Sequence, residues 1–157
     1  MTQGVGRPAM STAGFGRILV ATDFSACAEE AWTTAQELAC ALGAEVVLVH
    51  VVAEPAMYSG APFALGLAGD AQAEARKLAQ DRLGHWTEAA RAAGLGVRTD
   101  LRTGVPEEQI VDAAAEVHAD LIVLGAHGGL KSAVLGSVAD RVIRHAPCPV
   151  VTVREPV

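Results

Sequence analysis

DLIVLGAHGGLKSAVLGSVADRVIRHAPCPVVTVR, residues Asp120 to Arg154, is the stretch that decides the fold. Its opening run, Asp120 to Gly125, is apolar and rich in branched residues, the mark of a strand buried on both faces. A loop carrying Gly128 and Gly129 follows. Gly136 to Ala146 then places Val138, Val142, Ile143 and Ala146 on one helical face. Arg144 and His145 stand at the negative end of that helix. Pro147-Cys148-Pro149 stops it, because a residue before proline is driven out of the helical region. Val150 to Arg154 is a second strand. Strand, helix and strand in sequence make a crossover unit of a parallel sheet.

The same alternation runs back to the start. Arg17 to Thr22 (RILVAT) is a short buried strand. Asp23-Phe24-Ser25 breaks it, and Ser25 can cap the helix that follows. Ala28, Ala31, Trp32, Ala35, Leu38, Ala39 and Leu42 give that helix an apolar face, and Gly43 ends it. Glu45 to Val52 (EVVLVHVV) is another buried strand. Ala53 to Gly69 lacks periodicity and is long for a loop, so a functional or mobile cover is expected there. A helix from an Asp70 cap to Ala93, a one-sided strand from Gly96 to Leu101 and a helix from Pro106 to about His118 complete the chain. Strict alternation implies one α/β domain, a doubly wound five-stranded parallel sheet with helices on both faces.

Composition agrees with this. The chain has 157 residues, 51% hydrophobic and 19% charged, which is one globular domain. Its net charge of -6 argues against gripping a nucleic-acid backbone, which takes clustered cations. No uninterrupted apolar run reaches the roughly 18 residues of a membrane span. Cys27, Cys40 and Cys148 show neither a CxxC pair nor metal spacing, and are expected to be reduced and mostly buried. Met1 to Gly16 has no signal-like apolar core and reads as a flexible extension, with Met10 as an alternative start. A cytoplasmic location is the expectation.

Ligands of open α/β sheets bind beyond the carboxyl ends of the strands, where strand order reverses. Asp23, the Val51–Ala53 region and the Leu124-Gly125 strand end lie at such ends. After Gly125 come the glycine loop and Gly136-Ser137 at a helix start. Glycines let backbone N–H groups approach an anion, and a helix N-terminus adds about half a positive charge. That is the layout of a phosphate site, though it has neither GxxxxGK[ST] nor GxGxxG. The alternative is that these glycines only make turns. His127 admits two readings, a phosphate contact or a solvated turn, and Lys131 likewise. His50, inside a strand, is expected to be a hydrogen-bonded core histidine. No Ser-His-Asp set is legible, since Ser25 and Ser137 both have capping explanations, and Glu29/Glu30 and Glu107/Glu108 read as ordinary first-turn carboxylates. No catalytic residue is assigned.

RILVATDFS, EVVLVHVV and GSVADRVIRHAPCPVVTV together resemble the universal stress protein family from Arg17 to Arg154. The resemblance implies a Rossmann-like sheet in the order 3-2-1-4-5. It also implies an adenine nucleotide (ATP, ADP or AMP), with Mg or Mn accompanying the phosphates. Matched residue by residue, Ala21, Thr22 and Asp23 would lie near adenosine and Val51 near adenine. Gly125, Gly128, Gly136, Ser137 and Val138 would cradle phosphate, beside Leu124 and His127. The family's ATP pattern has nine residues between its second glycine and the Gly-Ser pair. Here Gly129 to Leu135 supplies seven. The missing two shorten the loop contour by about 7 Å, which takes slack from around the β- and γ-phosphates. A regulatory nucleotide-binding protein, a nucleotide-free dimeric interaction module and a slow ATPase using Asp23 and a divalent metal are the readings that follow. In the implied order the last strand is an edge, short, apolar and branched, so a homodimer through Val150 to Arg154 is expected, the alternative being an edge covered by the N-terminal segment.

Overall fold

The computed structural model describes residues 14–54, 62–127 and 134–156, with 62–68 described as backbone only. Among them nine elements alternate: β1 (Arg17–Ala21), α1 (Ala26–Leu42), β2 (Glu45–Ala53), α2 (Pro62–Ala92), β3 (Val97–Gly104), α3 (Pro106–Glu116), β4 (Leu121–Gly125), α4 (Ser137–His145) and β5 (Val150–Val153). The strands form one sheet in the order β3-β2-β1-β4-β5, every neighbour parallel. Met1 to Ala13 of the expected extension lie outside the described residues.

The alternation of side chains along each strand builds two cores. Ile18, Val20, Val46, Leu48, Leu121 and Val123 face α1 and α2, where they meet Ala31, Trp32, Ala35, Ala39 and Leu83. Leu19, Ala21, Val47, Val49, Ile122 and Leu124 face α3 and α4, where they meet Ile110, Ala113, Ala139 and Val142. Both faces of β1 and β4 are therefore dry, which is why those strands read as continuous apolar runs. At the amino end of the sheet, Asp120 accepts from the backbone N–H groups of Gly16 (2.9 Å) and Arg17 (3.1 Å). Arg17 in turn pairs with Glu45.

Helix ends follow local chemistry. Ser25 accepts from the Ala28 N–H at 3.2 Å, and Gly43 closes α1 at φ 66°. Pro106 opens α3 in the first turn, where its missing N–H costs nothing. One expectation fails: α2 starts at Pro62, not after an Asp70 cap, so Pro62 to Gly69 is helix rather than cover. Proline suits a first helical position, and Ala64, Leu65, Leu67 and Ala68 are good helix formers. Gly66 and Gly69 cost about 1 kcal/mol each, too little to break a helix of this length. Residues 55–61 of the expected cover lie outside the described residues. A second expectation is corrected at one thiol. Cys27 is buried and Cys148 half-buried, but Cys40 is exposed, on the outer side of α1 one residue past buried Ala39. No helix among the described residues is long and apolar enough to cross a membrane.

Candidate functional site at the carboxyl ends of β1 and β4

Between β1 and β4 the order of strands reverses, and the connections diverge to opposite faces of the sheet. A pocket of about 530 Å3 opens at that point, a size suited to a small ligand. Ala21, Thr22, Asp23, Val51, Leu124, Gly125, His127, Gly136, Ser137 and Val138, all singled out from sequence, line it together. Gly128, with Gly129 and Lys131, lies outside the described residues.

The β1–α1 turn is fixed by its own side chains. Thr22 Oγ1 accepts from the Phe24 N–H at 3.0 Å, and Asp23 Oδ1 accepts from the Ser25 N–H at 2.9 Å. Asp23 is the only carboxylate among the described lining residues, and it is exposed. Ala21, Val49, Val51, Ile110 and Leu124 form an apolar wall beside it.

Much of the rest of the lining is backbone and helix start. Lining residues come from the first turns of α1 (Ala28), α3 (Pro106) and α4 (Ser137, Val138). These starts are not equivalent. Ser25 caps α1 with its hydroxyl, whereas Gly136 gives α4 no side-chain cap. The Gly136 N–H bonds to Ala126 O at 2.7 Å, and the first turn of α4 closes from Asp140 N to Gly136 O at 2.9 Å. The N–H groups of Ser137, Val138 and Ala139 therefore have no intrahelical acceptor, and they carry the positive end of the helix. Such an end favours an anion.

Just outside the pocket, Arg141 of α4 pairs with Glu107 of α3. Glu107 is held below the ordinary carboxylate range, first by its own backbone N–H at the helix start and further by Arg141, with partial desolvation opposing. Among the described residues no group of three or more His, Cys, Asp or Glu side chains could hold a metal ion.

Sequence reasoning missed the α3 side of the pocket, Pro106 and Ile110, together with Ala28, Val49, Val134, Leu135 and Ala139. For Val49 the signal was present, since it stands two residues before Val51 on the same strand face. For α3 there was none, because its position over β2 and β1 depends on the whole topology.

A family model described as the universal stress protein family matches residues 14–154. A universal stress protein of Methanocaldococcus jannaschii is 35% identical over 149 residues, covering 90% of this chain and 84% of that protein. One from Thermus aquaticus is 36% identical over 148 residues, covering 89% and 99%. Among solved structures, universal stress protein UspA from Lactobacillus plantarum superposes with a TM-score of 0.81 at 28% identity, covering 89% of this chain and 98% of that one. A universal stress protein from Archaeoglobus fulgidus in complex with dAMP gives 0.66 at 28%, covering 88% and 98%. One in complex with cAMP gives 0.61 at 27%, covering 88% and 96%. With the sheet order, the switch-point pocket and a family match spanning nearly every described residue, the chain belongs to the universal stress protein family.

Proposed function

We propose that this protein binds an adenine nucleotide at the switch-point pocket and acts as a stress-response regulator without fast turnover. The observation that carries the reading is the pocket's polarity. An apolar wall with one carboxylate, suited to a nucleoside, shares the pocket with a helix start whose N-cap, Gly136, brings no side chain, which suits phosphate. The complexes of related proteins with dAMP and cAMP support the same ligand class. Adenosine then lies against Ala21, Thr22, Asp23 and Val51. The phosphates lie at Gly125, Gly136, Ser137 and Val138, with His127 and Gly128 beside them, while Leu124 belongs to the apolar wall on the nucleoside side. Mg or Mn, where present, travels with the phosphates, and Asp23 is the carboxylate that could meet it. The protein acts in the cytoplasm as a homodimer paired through Val150 to Arg154.

Asp23, the only carboxylate among the described lining residues, belongs to the β1–α1 turn and not to the start of α4. Positioning rather than hydrolysis is therefore the chemistry this site supports. The seven-residue connection from Gly129 to Leu135 limits the wrap around a triphosphate. Each N–H donor withdrawn from a charged oxygen costs roughly 1.5–3 kcal/mol, about 10- to 150-fold in affinity. Titration calorimetry with AMP and ATP is the test. Binding of both, with ATP at most about tenfold tighter, is the expected result. A far larger preference for ATP would refute the loop argument. Absence of binding by either would refute the nucleotide reading and leave the interaction module.

A further inference from the structure

We infer that His50 and Phe24 are positioning residues for the nucleoside end of the pocket, fastening the Thr22–Asp23 turn from the opposite face of the sheet. The inference rests on the nucleotide reading above and names residues that the pocket lining does not contain.

His50 stands between two lining residues, Val49 and Val51, but on the other side of β2. Val46 and Leu48 share its face and pack under α1 and α2, whereas Val47 and Val49 pack under α3. The β1–β2 ladder ends with the Thr22 N–H on Val49 O at 2.9 Å. At the next step a side chain takes over, with His50 Nδ1 2.7 Å from Thr22 O. A carbonyl oxygen only accepts, so Nδ1 carries the proton. The carbonyl of a pocket residue is thus held by an imidazole that never reaches the pocket.

Phe24 supplies the second hold. Its φ is 62°, a conformation costly for any side chain with a β-carbon and rare for an aromatic one. The ring is tied down on the α2 side. It lies 4.6 Å from the His50 ring, meets Trp86 edge-on at 5.4 Å, and has the Arg82 guanidinium carbon 5.4 Å from its centre. These contacts offset the backbone cost. With the ring of Phe24 anchored behind the sheet, its predecessor Asp23 is left on the pocket side. One Asp23 oxygen is committed to the Ser25 N–H, which leaves the second for a ligand hydroxyl or amine.

The test is AMP affinity by calorimetry on the full chain, read beside thermal unfolding. His50→Leu removes the donor and should weaken AMP about tenfold, the worth of one strong hydrogen bond. His50→Asn puts an amide nitrogen where Nδ1 stood and should return affinity to within about threefold of the parent. Phe24→Gly accepts the same φ without strain but has no ring, and should lose AMP affinity as His50→Leu does. If His50→Leu fails to fold, Phe24→Gly and His50→Asn still decide. Parent-like binding by Phe24→Gly, or binding by His50→Asn as weak as that of a ring-deleted turn, would overturn the inference. Failure of the parent to bind AMP is a different result, and sinks the nucleotide reading itself.

Discussion

A β-carbon added to Gly125 would lie 3.0 Å from Cys27 Sγ and 3.1 Å from the Cys27 carbonyl carbon. The second of these is backbone and cannot swing away. Gly125 is therefore the point where the end of β4 touches the start of α1, and Gly125→Ala should cost about 1–3 kcal/mol by overpacking. A melting temperature equal to the parent's would contradict this. Gly136 differs. Its φ of -64° and ψ of 154° suit any residue, so no backbone strain explains the glycine. The proposed phosphate site would, because it asks for a bare position at a helix start. Gly136→Val should fold and, on the proposed reading, lose nucleotide affinity in calorimetry, because its branched side chain enters the space proposed for phosphate oxygens. Unchanged affinity would move the phosphate elsewhere. In the sequence both glycines read as one cradle. The approach that separates them joins Gly125 to Cys27, far away in the chain, and no local pattern announces it.

Elements explain what could and could not be read. The buried strands β1, β2 and β4 were plain because burial on both faces leaves a run of apolar residues. The start of α2 was not, because Gly66 and Gly69 suggest breaks whose small cost the rest of the helix absorbs. The tie between α3 and α4 was invisible as well. Glu107 looks like an ordinary first-turn carboxylate, and only the packed helices bring Arg141 to it. Because folding lowers the Glu107 pKa, its contribution is present above the ordinary carboxylate range and is lost as pH falls through the folded value. Glu107→Gln should therefore unfold at lower urea than the parent at about pH 7, and the gap should close as the solution is acidified. A gap that persists unchanged into acid would assign the loss to packing instead.

At the scale of the molecule, the order β3-β2-β1-β4-β5 could not be reached from the residues alone. Alternation implied a parallel sheet, and the order came with the family resemblance. The order leaves β5 at one edge, and register tells which of its groups are open. Ile122 N bonds Pro149 O at 3.0 Å and Ala126 N bonds Val153 O at 2.8 Å. Alternation along a strand then turns the Val151 and Val153 N–H groups toward β4 and that of Thr152 outward. A proline at 151 would break the sheet itself. Thr152→Pro removes an outward donor and should weaken the proposed dimer while sparing the β4 ladder. Light scattering should give a dimer for the parent at high micromolar concentration and a smaller mass for the variant. A monomeric parent would end the proposal.

The opposite edge is built differently. On β3, Arg102 bonds Asp100 at 2.8 Å and also pairs with Glu116 of α3, while Arg98 reaches Glu45 at 3.5 Å. Fixed charges of this kind discourage a second strand from docking. In the language of polymer chemistry, a building block with two reactive ends grows into a fibre and one with a single reactive end is a chain stopper. Paired through β5 as proposed, this molecule is of the second kind. Whatever strand meets β5, growth halts after one addition, so crowding the protein to high concentration should thicken no filament.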